Sequence, residues 1–166
     1  MAIATACLAL FTAILAGATF WLSWEARNSS FRRIGVETWL ALEARFDSME
    51  MKRARKKLAK QLSPYDTTKH DQITEEVLEL FESIATVYNR GLLNIELADS
   101  SFSYYANHWW EAAKPYIDQE RRNKGDDDSF FSEFEKYAKK VRKYDPVIDS
   151  RALIDFLNDE KKLKTD

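Results

Sequence analysis

No charged side chain occurs between residues 2 and 24, although Lys, Arg, Asp and Glu make up 31% of the chain. As an α-helix, a stretch of this length spans roughly 30–35 Å, about the thickness of the hydrocarbon core of a bilayer. We therefore predict a membrane-spanning helix over residues 1–25 that is retained in the mature protein. A cleaved secretory signal would need a basic start and a shorter apolar core. A lipoprotein signal would place its cysteine at the end of the run, whereas Cys7 lies near the start.

Charges and indole rings at the end of this stretch predict its orientation. Basic residues lie on its C-terminal side, and the positive-inside rule then places the rest of the chain in the cytoplasm. Indole rings favour the headgroup level of a bilayer. The expected interfacial anchors are Trp21, Trp24, Arg27, Arg32 and Arg33.

Small residues recur along one face of the predicted membrane helix at spacings of mostly three and four. Such a face lets two helix backbones approach closely in lipid, where packing drives association. We predict packing against another membrane protein or a second copy through this face, with membrane lipid on the others. Chance recurrence of Ala and Gly is the competing interpretation. The packing residues are Ala6, Ala9, Ala13, Ala16 and Gly17.

After residue 25, apolar residues recur at helical spacing almost to the end of the chain. Gly (4) and Pro (3) are rare, and no apolar/polar alternation typical of a strand persists between turn signals. We predict an all-α fold with one helical bundle of about five to six helices over residues 26–158. Residues 159–166 are predicted to form a charged tail.

Local signals divide the bundle into helices. Asn, Asp and Ser cap helices, Gly ends them, and Pro kinks or ends them. The predicted caps and breaks, in chain order, are Asn28–Ser30, Asp47–Ser48, Gly91, Pro115, Ser129 and Asp149.

Aromatic residues on the apolar stripes are predicted to form the core. Trp109 and Trp110 are adjacent, so the two side chains should not both point inward from one helix. We expect Trp110 to be the candidate anchor of a protein interface. The predicted aromatic core consists of Trp39, Phe81, Phe102, Trp109, Phe134 and Tyr137.

The block from Trp39 to Met51, continuing to Arg53 and Arg55, is unusual. It resembles a bacterial family of small proteins with one N-terminal membrane segment and a helical domain, known as domain of unknown function 4760. Later stretches are similar too, from Leu80 to Leu93 and from Tyr105 to Trp110. The resemblance implies the fold and the topology, and it implies no activity.

Residues that carry chemistry are sparse, and we predict no catalytic, cofactor-binding or metal site. A metal site needs three or four converging ligands. His70 and His108 have no histidine partner at helical spacing, so each is expected to have a structural or solvent-exposed role. The carboxylates of one helix are expected to form a solvated face; they are Glu75, Glu76, Glu79 and Glu82.

A basic patch is the clearest charged feature. It consists of Lys52, Arg53, Arg55, Lys56, Lys57 and Lys60. The favoured interpretation is that this basic helix packs beside an acidic one within the fold. Contact with anionic lipid is the second interpretation, and phosphate contacts to nucleic acid are the least favoured.

Three hypotheses for function follow from the sequence. The first is a non-enzymatic accessory, scaffolding or regulatory subunit of a membrane-associated assembly. The second is a membrane-anchored effector or enzyme with a site between helices. The third is a lipid or nucleic-acid binder that uses the basic patch.

Overall fold

The computed structural model describes residues 2–62, 73–93, 95–142 and 148–165, but not the side chains of residues 2–11, 13 and 27–33. These ranges form helices and contain no strand. The prediction of an all-α fold with a helical bundle is therefore confirmed for the described residues. The helices are α1 Ala2–Asp47, α2 Met49–Gln61, α3 Glu76–Asn89, α4 Ile95–Asn123, α5 Ser132–Val141 and α6 Ser150–Lys161.

Helix α1 runs without a break through residues 28–30, so the cap predicted there is wrong. No Pro or Gly interrupts this part of the chain, and Asn and Ser are tolerated inside a helix that flanking residues sustain. The predicted break at Asp47–Ser48 is confirmed. The Ser48 hydroxyl accepts a hydrogen bond from the Met51 amide at 3.1 Å and caps α2.

The predicted membrane helix falls in α1. Where the structure describes side chains, no helix is long and apolar enough to cross a membrane. The side chains of residues 1–11 and 13 lie outside that part, so the span over residues 1–25 stays a prediction.

Gly91 ends α3, as predicted. Its φ of +68° is in the left-handed region, which glycine adopts without a Cβ clash. The Leu92 amide donates to the Val87 carbonyl and the Gly91 amide to the Tyr88 carbonyl, which is a Schellman motif. The chain turns sharply here, between α3 and the first turn of α4.

Helix α4 is the centre of the bundle. It continues through Pro115 to Asn123, so Pro115 does not end the helix, and the alternative of a kink stays a prediction. Trp109 and Trp110 are 0% and 3% exposed, so the expectation that they would not both point inward is wrong. A helix covered on one side can bury one of two adjacent residues, whereas α4 is covered on two sides. Trp109 packs against Phe156 of α6, and Trp110 packs against Phe134 of α5.

The last two helices begin differently. Helix α6 starts at the predicted cap, where the Asp149 carboxylate accepts from the Ala152 amide at 2.7 Å. Helix α5 starts three residues after the predicted cap Ser129, and its N-cap residue Phe131 has a φ of +55° and no side-chain cap. Helix α6 continues through Lys161, past the predicted start of the tail at residue 159.

Candidate functional site

Apolar side chains cover the described part of the N-terminal half of α1, which we call the stem (residues 2–26). Ala16 and Gly17 of the predicted packing face are exposed, and nothing lies within 4 Å of a Cβ built at Gly17. The Trp21 and Trp24 rings are exposed as well. The side chains of Ala6, Ala9, Ala13, Arg27, Arg32 and Arg33 lie outside the described residues. The exposed large apolar residues of the stem are Ile14, Leu15, Phe20, Trp21, Leu22 and Trp24.

The other half of α1 belongs to the bundle. Phe46 is 4% exposed and meets Phe81, Phe102 and Tyr105 with ring centroids 4.7–6.0 Å apart. Trp39 donates from its indole nitrogen to the Ser101 hydroxyl at 3.2 Å. One continuous helix therefore joins an exposed apolar stem to a packed domain.

The basic patch on α2 does not form one free surface. Arg55 is 3% exposed and donates to both carboxylate oxygens of Glu160 on α6, at 2.6 and 2.8 Å. The Lys56 ammonium donates to the Leu163 carbonyl at 3.0 Å. The Arg53 guanidinium donates to the Thr165 carbonyl at 3.2 Å. Three of the six predicted cations thus hold the C-terminal segment, while Lys57 and Lys60 are exposed and Lys52 is partly exposed.

Aromatic rings surround the Arg55 guanidinium. Its carbon lies 4.1 Å from the centroid of Phe46 and 5.0 Å from that of Tyr105. A guanidinium that lies over aromatic rings and donates two hydrogen bonds to one carboxylate is held in a single orientation. Helix α2 packs against the acidic helix α3, as the favoured interpretation expects, and it packs against α6 as well. The carboxylate that pairs with Arg55 comes from α6.

Glu160 is the important residue that sequence reasoning missed. It falls in the predicted charged tail, yet it is 5% exposed. A signal was present, because Leu153, Phe156, Leu157 and Glu160 recur at spacings of three, one and three, on one face of a helix. The charge of Glu160 hid its place at the end of that face.

Two carboxylates of α3 pair within the fold, so the prediction of a wholly solvated acidic face is wrong. Glu82 accepts from the backbone amides of Glu133 and Phe134 at 3.2 and 2.7 Å. It replaces the missing cap of α5, whose first amides would otherwise lack acceptors. Glu75 accepts from the Tyr116 hydroxyl. Partial burial, and then this carboxylate, raise the pKa of Tyr116 well above its usual range. Glu76 and Glu79 are exposed.

The buried polar groups link helices to one another. The Tyr137 hydroxyl donates to the Ala98 carbonyl at 3.4 Å, and burial raises its pKa far above the usual value. His108 is 5% exposed and lies 2.8 Å from the Tyr104 carbonyl through Nδ1. Its ring contacts those of Tyr104 and Phe156 at tilted angles of 40° and 39°. This is the structural role expected for His108, and His70 lies outside the described residues.

No group of three or more His, Cys, Asp or Glu side chains in the described ranges is arranged to hold a metal ion. A pocket of about 110 Å³ lies where α1, α2 and α3 meet, between Arg45, Ser48, Glu50, Met51 and Glu76. Typical ligand sites are about 300–1,000 Å³. This pocket has room for water or an ion rather than for an organic cofactor.

Comparison with known proteins identifies a family and nothing more specific. No curated protein and no solved structure matches this chain. A domain of unknown function, DUF4760, matches residues 1–141, which include the stem and α1 to α5. The match ends before α6 and Glu160. Because it covers more than half of the sequence, this chain belongs to the DUF4760 family.

Proposed function

We propose that this protein is a single-pass membrane protein whose helical bundle is an accessory, scaffolding or regulatory module of a membrane-associated assembly, without catalytic activity of its own. The observation that carries the proposal is the continuity of α1. Exposed apolar residues such as Phe20 and Leu22 and the buried Phe46 belong to one helix. Such a helix fixes the distance and rotation of the bundle relative to the bilayer, which is what a positioning module requires.

Lipid is the environment that suits the stem best. Large side chains from Ile14 to Trp24 are 52–71% exposed. Transferring them from water to hydrocarbon is favourable by about 25 cal/mol per Å² of apolar surface. Residues 2–24 supply the length of a span. We propose a bacterial inner membrane with the bundle on the cytoplasmic side, from the three arginines that follow the stem.

The contacts of the ionisable side chains support the proposal that the bundle is a scaffold. Several buried and half-buried ionisable groups link helices: Arg55 with Glu160, Glu82 with the start of α5, and Tyr116 with Glu75. Groups that serve a reaction are typically poised towards a cleft. Here they are engaged in holding α2, α3, α4, α5 and α6 together.

Membrane insertion is tested by charging the stem. We expect Ile14→Lys/Leu15→Lys to remove the carbonate-resistant membrane association of the full chain, because each cation at the centre of a span costs about 2.5–3.5 kcal/mol. The matched control is Leu40→Lys, on the same helix and 50% exposed, which should stay in the membrane fraction. Retention of the doubly charged variant would refute the anchor.

The assembly role is tested on the small-residue face. Ala9→Leu/Ala13→Leu/Gly17→Leu adds bulk where a second helix would pack, and we expect it to remove a co-purifying membrane partner or to lower the oligomeric state in mild detergent. Ala18→Leu is the control, because it adds a leucine elsewhere on the same helix, about 100–180° around the axis from the three positions. Unchanged partners and an unchanged oligomeric state would remove the stem from the assembly role and leave it as an anchor.

A further inference from the structure

The corner between α3 and α4 exposes two large apolar side chains. Leu92 and Ile95 are 44% and 51% exposed, whereas Leu93 between them is 4% exposed. The Schellman turn at Gly91 separates them in this way, because it turns Leu93 into the core and leaves Leu92 outside. Leu92 lies in the turn and Ile95 is the first residue of α4, so both apolar side chains project from this end of the bundle.

This corner lies at the end of the bundle that faces the stem. Trp39 of α1 contacts Ser101 of α4, and Phe46, further along α1, contacts Phe102 and Tyr105, further along α4. The contacts therefore advance in the same direction along both helices. The first turn of α4 lies up to about 9 Å from Ser101 towards the stem, at the rise of 1.5 Å per residue.

The rise per residue of α1 also gives the distance between this end of the bundle and the bilayer. Gly35 of α1 is buried, so the bundle reaches at least that far towards the stem. Gly35 is eleven residues beyond Trp24, about 16 Å along the axis. The headgroup layer spans roughly 5–8 Å of this distance.

A tilt of α1 towards α4 reduces the remaining gap of about 8–11 Å. Membrane helices tilt by about 20° on average and by up to about 40°. A point about 15 Å to the side of the α1 axis, where a neighbouring packed helix carries its outer side chains, descends by about 5 Å at 20° and about 10 Å at 40°. A tilt near the upper end of this range thus brings the corner to the headgroups.

We propose that Leu92 and Ile95 form a second membrane contact, which inserts into the headgroup layer of the bilayer that the stem spans. This inference rests on the proposed function, because it needs the stem in the same bilayer. Arg90 is exposed beside the pair and favours anionic headgroups, while the exposed Glu96 opposes them. The apolar pair therefore carries the contact, and it fixes the direction of tilt as well as the height of the bundle.

The test places an environment-sensitive NBD fluorophore at single cysteines in the full chain, reconstituted into phosphatidylcholine vesicles with about a third phosphatidylglycerol. Leu92→Cys and Ile95→Cys are made in a Cys7→Ser background. The control is Ile154→Cys, since Ile154 is also exposed and its helix packs near Trp109, fourteen residues beyond Ile95 along α4. Both corner labels should emit at shorter wavelength than the control and lose at least half of their intensity to a spin-labelled lipid.

Each outcome decides the proposal. Labels at 92 and 95 that behave like the label at 154, in a chain that floats with the vesicles, overturn the second contact and leave the anchor intact. A blue shift without quenching by the lipid indicates cover by a second copy, which also overturns it. If the chain does not float with the vesicles in a density gradient, both the proposed anchor and this second contact are refuted.

Discussion

Helices α5 and α6 cover two different sides of α4. Each makes a similar aromatic contact with it, but the polar groups around the two contacts differ. Trp110 meets Phe134 of α5 edge-on, with centroids 5.3 Å apart and planes inclined at 82°. Trp109 meets Phe156 of α6 at 5.1 Å and 80°. These two ring contacts are alike, whereas the polar groups around α5 and α6 differ.

The polar groups of the α5 side keep contact with water. Arg121 pairs with Glu135 at 2.8 Å, with side chains 12% and 24% exposed. The Arg55–Glu160 pair that holds α6 is 4% and 6% exposed. Ion pairs that keep contact with water typically contribute about 0–1 kcal/mol, whereas removing one member of a fully buried pair leaves an unpaired buried charge and is strongly destabilising. The α5 side should therefore tolerate polar changes that the α6 side does not.

The largest expected effect tests the likeness of the two aromatic contacts. Phe134→Ala and Phe156→Ala should each lower the free energy of unfolding by about 3–5 kcal/mol, because each leaves a cavity beside a buried indole. Urea unfolding of the full chain in mild detergent, followed by tryptophan fluorescence, measures both. Phe20→Ala, at a residue 71% exposed, is the matched control and should change little. A loss at only one position would show that the two sides are not equivalent.

The α5 side was the more predictable of the two from sequence. Phe134, Tyr137 and Val141 follow helical spacing, and all are buried as that spacing indicates. The cap of α5 was not predictable, because Glu82 comes from another helix about fifty residues earlier. Local sequence reports caps within a few residues, and only tertiary packing shows a cap supplied from a distance.

The α6 side was less predictable for a different reason. Periodicity identifies buried apolar residues, whereas a charge at the end of an apolar face is ordinarily solvated. Glu160 is buried because Arg55 meets it from a helix 105 residues away. The burial of both Trp109 and Trp110 was missed for a related reason, since one helix viewed by itself does not reveal that it is covered on two sides.

The second prediction separates two quantities: the net contribution of the Arg55–Glu160 pair to the free energy of unfolding, and the loss of stability when only one partner is removed. Glu160→Leu and Arg55→Met should each cost about 3–5 kcal/mol, because each leaves one buried charge unpaired. The double variant should recover most of that loss. A double-mutant cycle by urea unfolding gives the coupling energy. If the two single losses simply add in the double variant, the pair is not coupled as the structure describes.

The third prediction concerns the cap of α5. Glu82→Ala removes the acceptor of two backbone amides and should cost about 1–2 kcal/mol, the usual range for a lost cap. Glu79→Ala, on the same helix and exposed, controls for the lost carboxylate. On the α6 side, Asp149→Ala removes a local cap and should cost about 1 kcal/mol. Equal unfolding curves for the Glu82 and Glu79 variants would refute the capping role.

The smallest expected effect is the pH dependence of the α5 side. Hydrogen bonds from Lys139, and then from Arg121, hold the pKa of Glu135 below its usual range against the opposing effect of burial. A carboxylate whose pKa is lower in the folded state stabilises the fold above its unfolded pKa of about 4.3. That contribution is lost as the pH falls through the lower folded value.

Glu135→Gln should therefore lower stability by less than about 1 kcal/mol at neutral pH, and its curve should converge with that of the unmodified chain in acid. Urea midpoints measured from pH 7 to pH 3 give the two curves, and Glu79→Gln controls for the loss of one negative charge. A difference that stays constant over this range would assign the effect of Glu135 to packing. In that case the charge of Glu135 would not stabilise the α5 side. The two sides of α4 would then differ in how deeply their ion pairs are buried and not in the pH dependence of their stability.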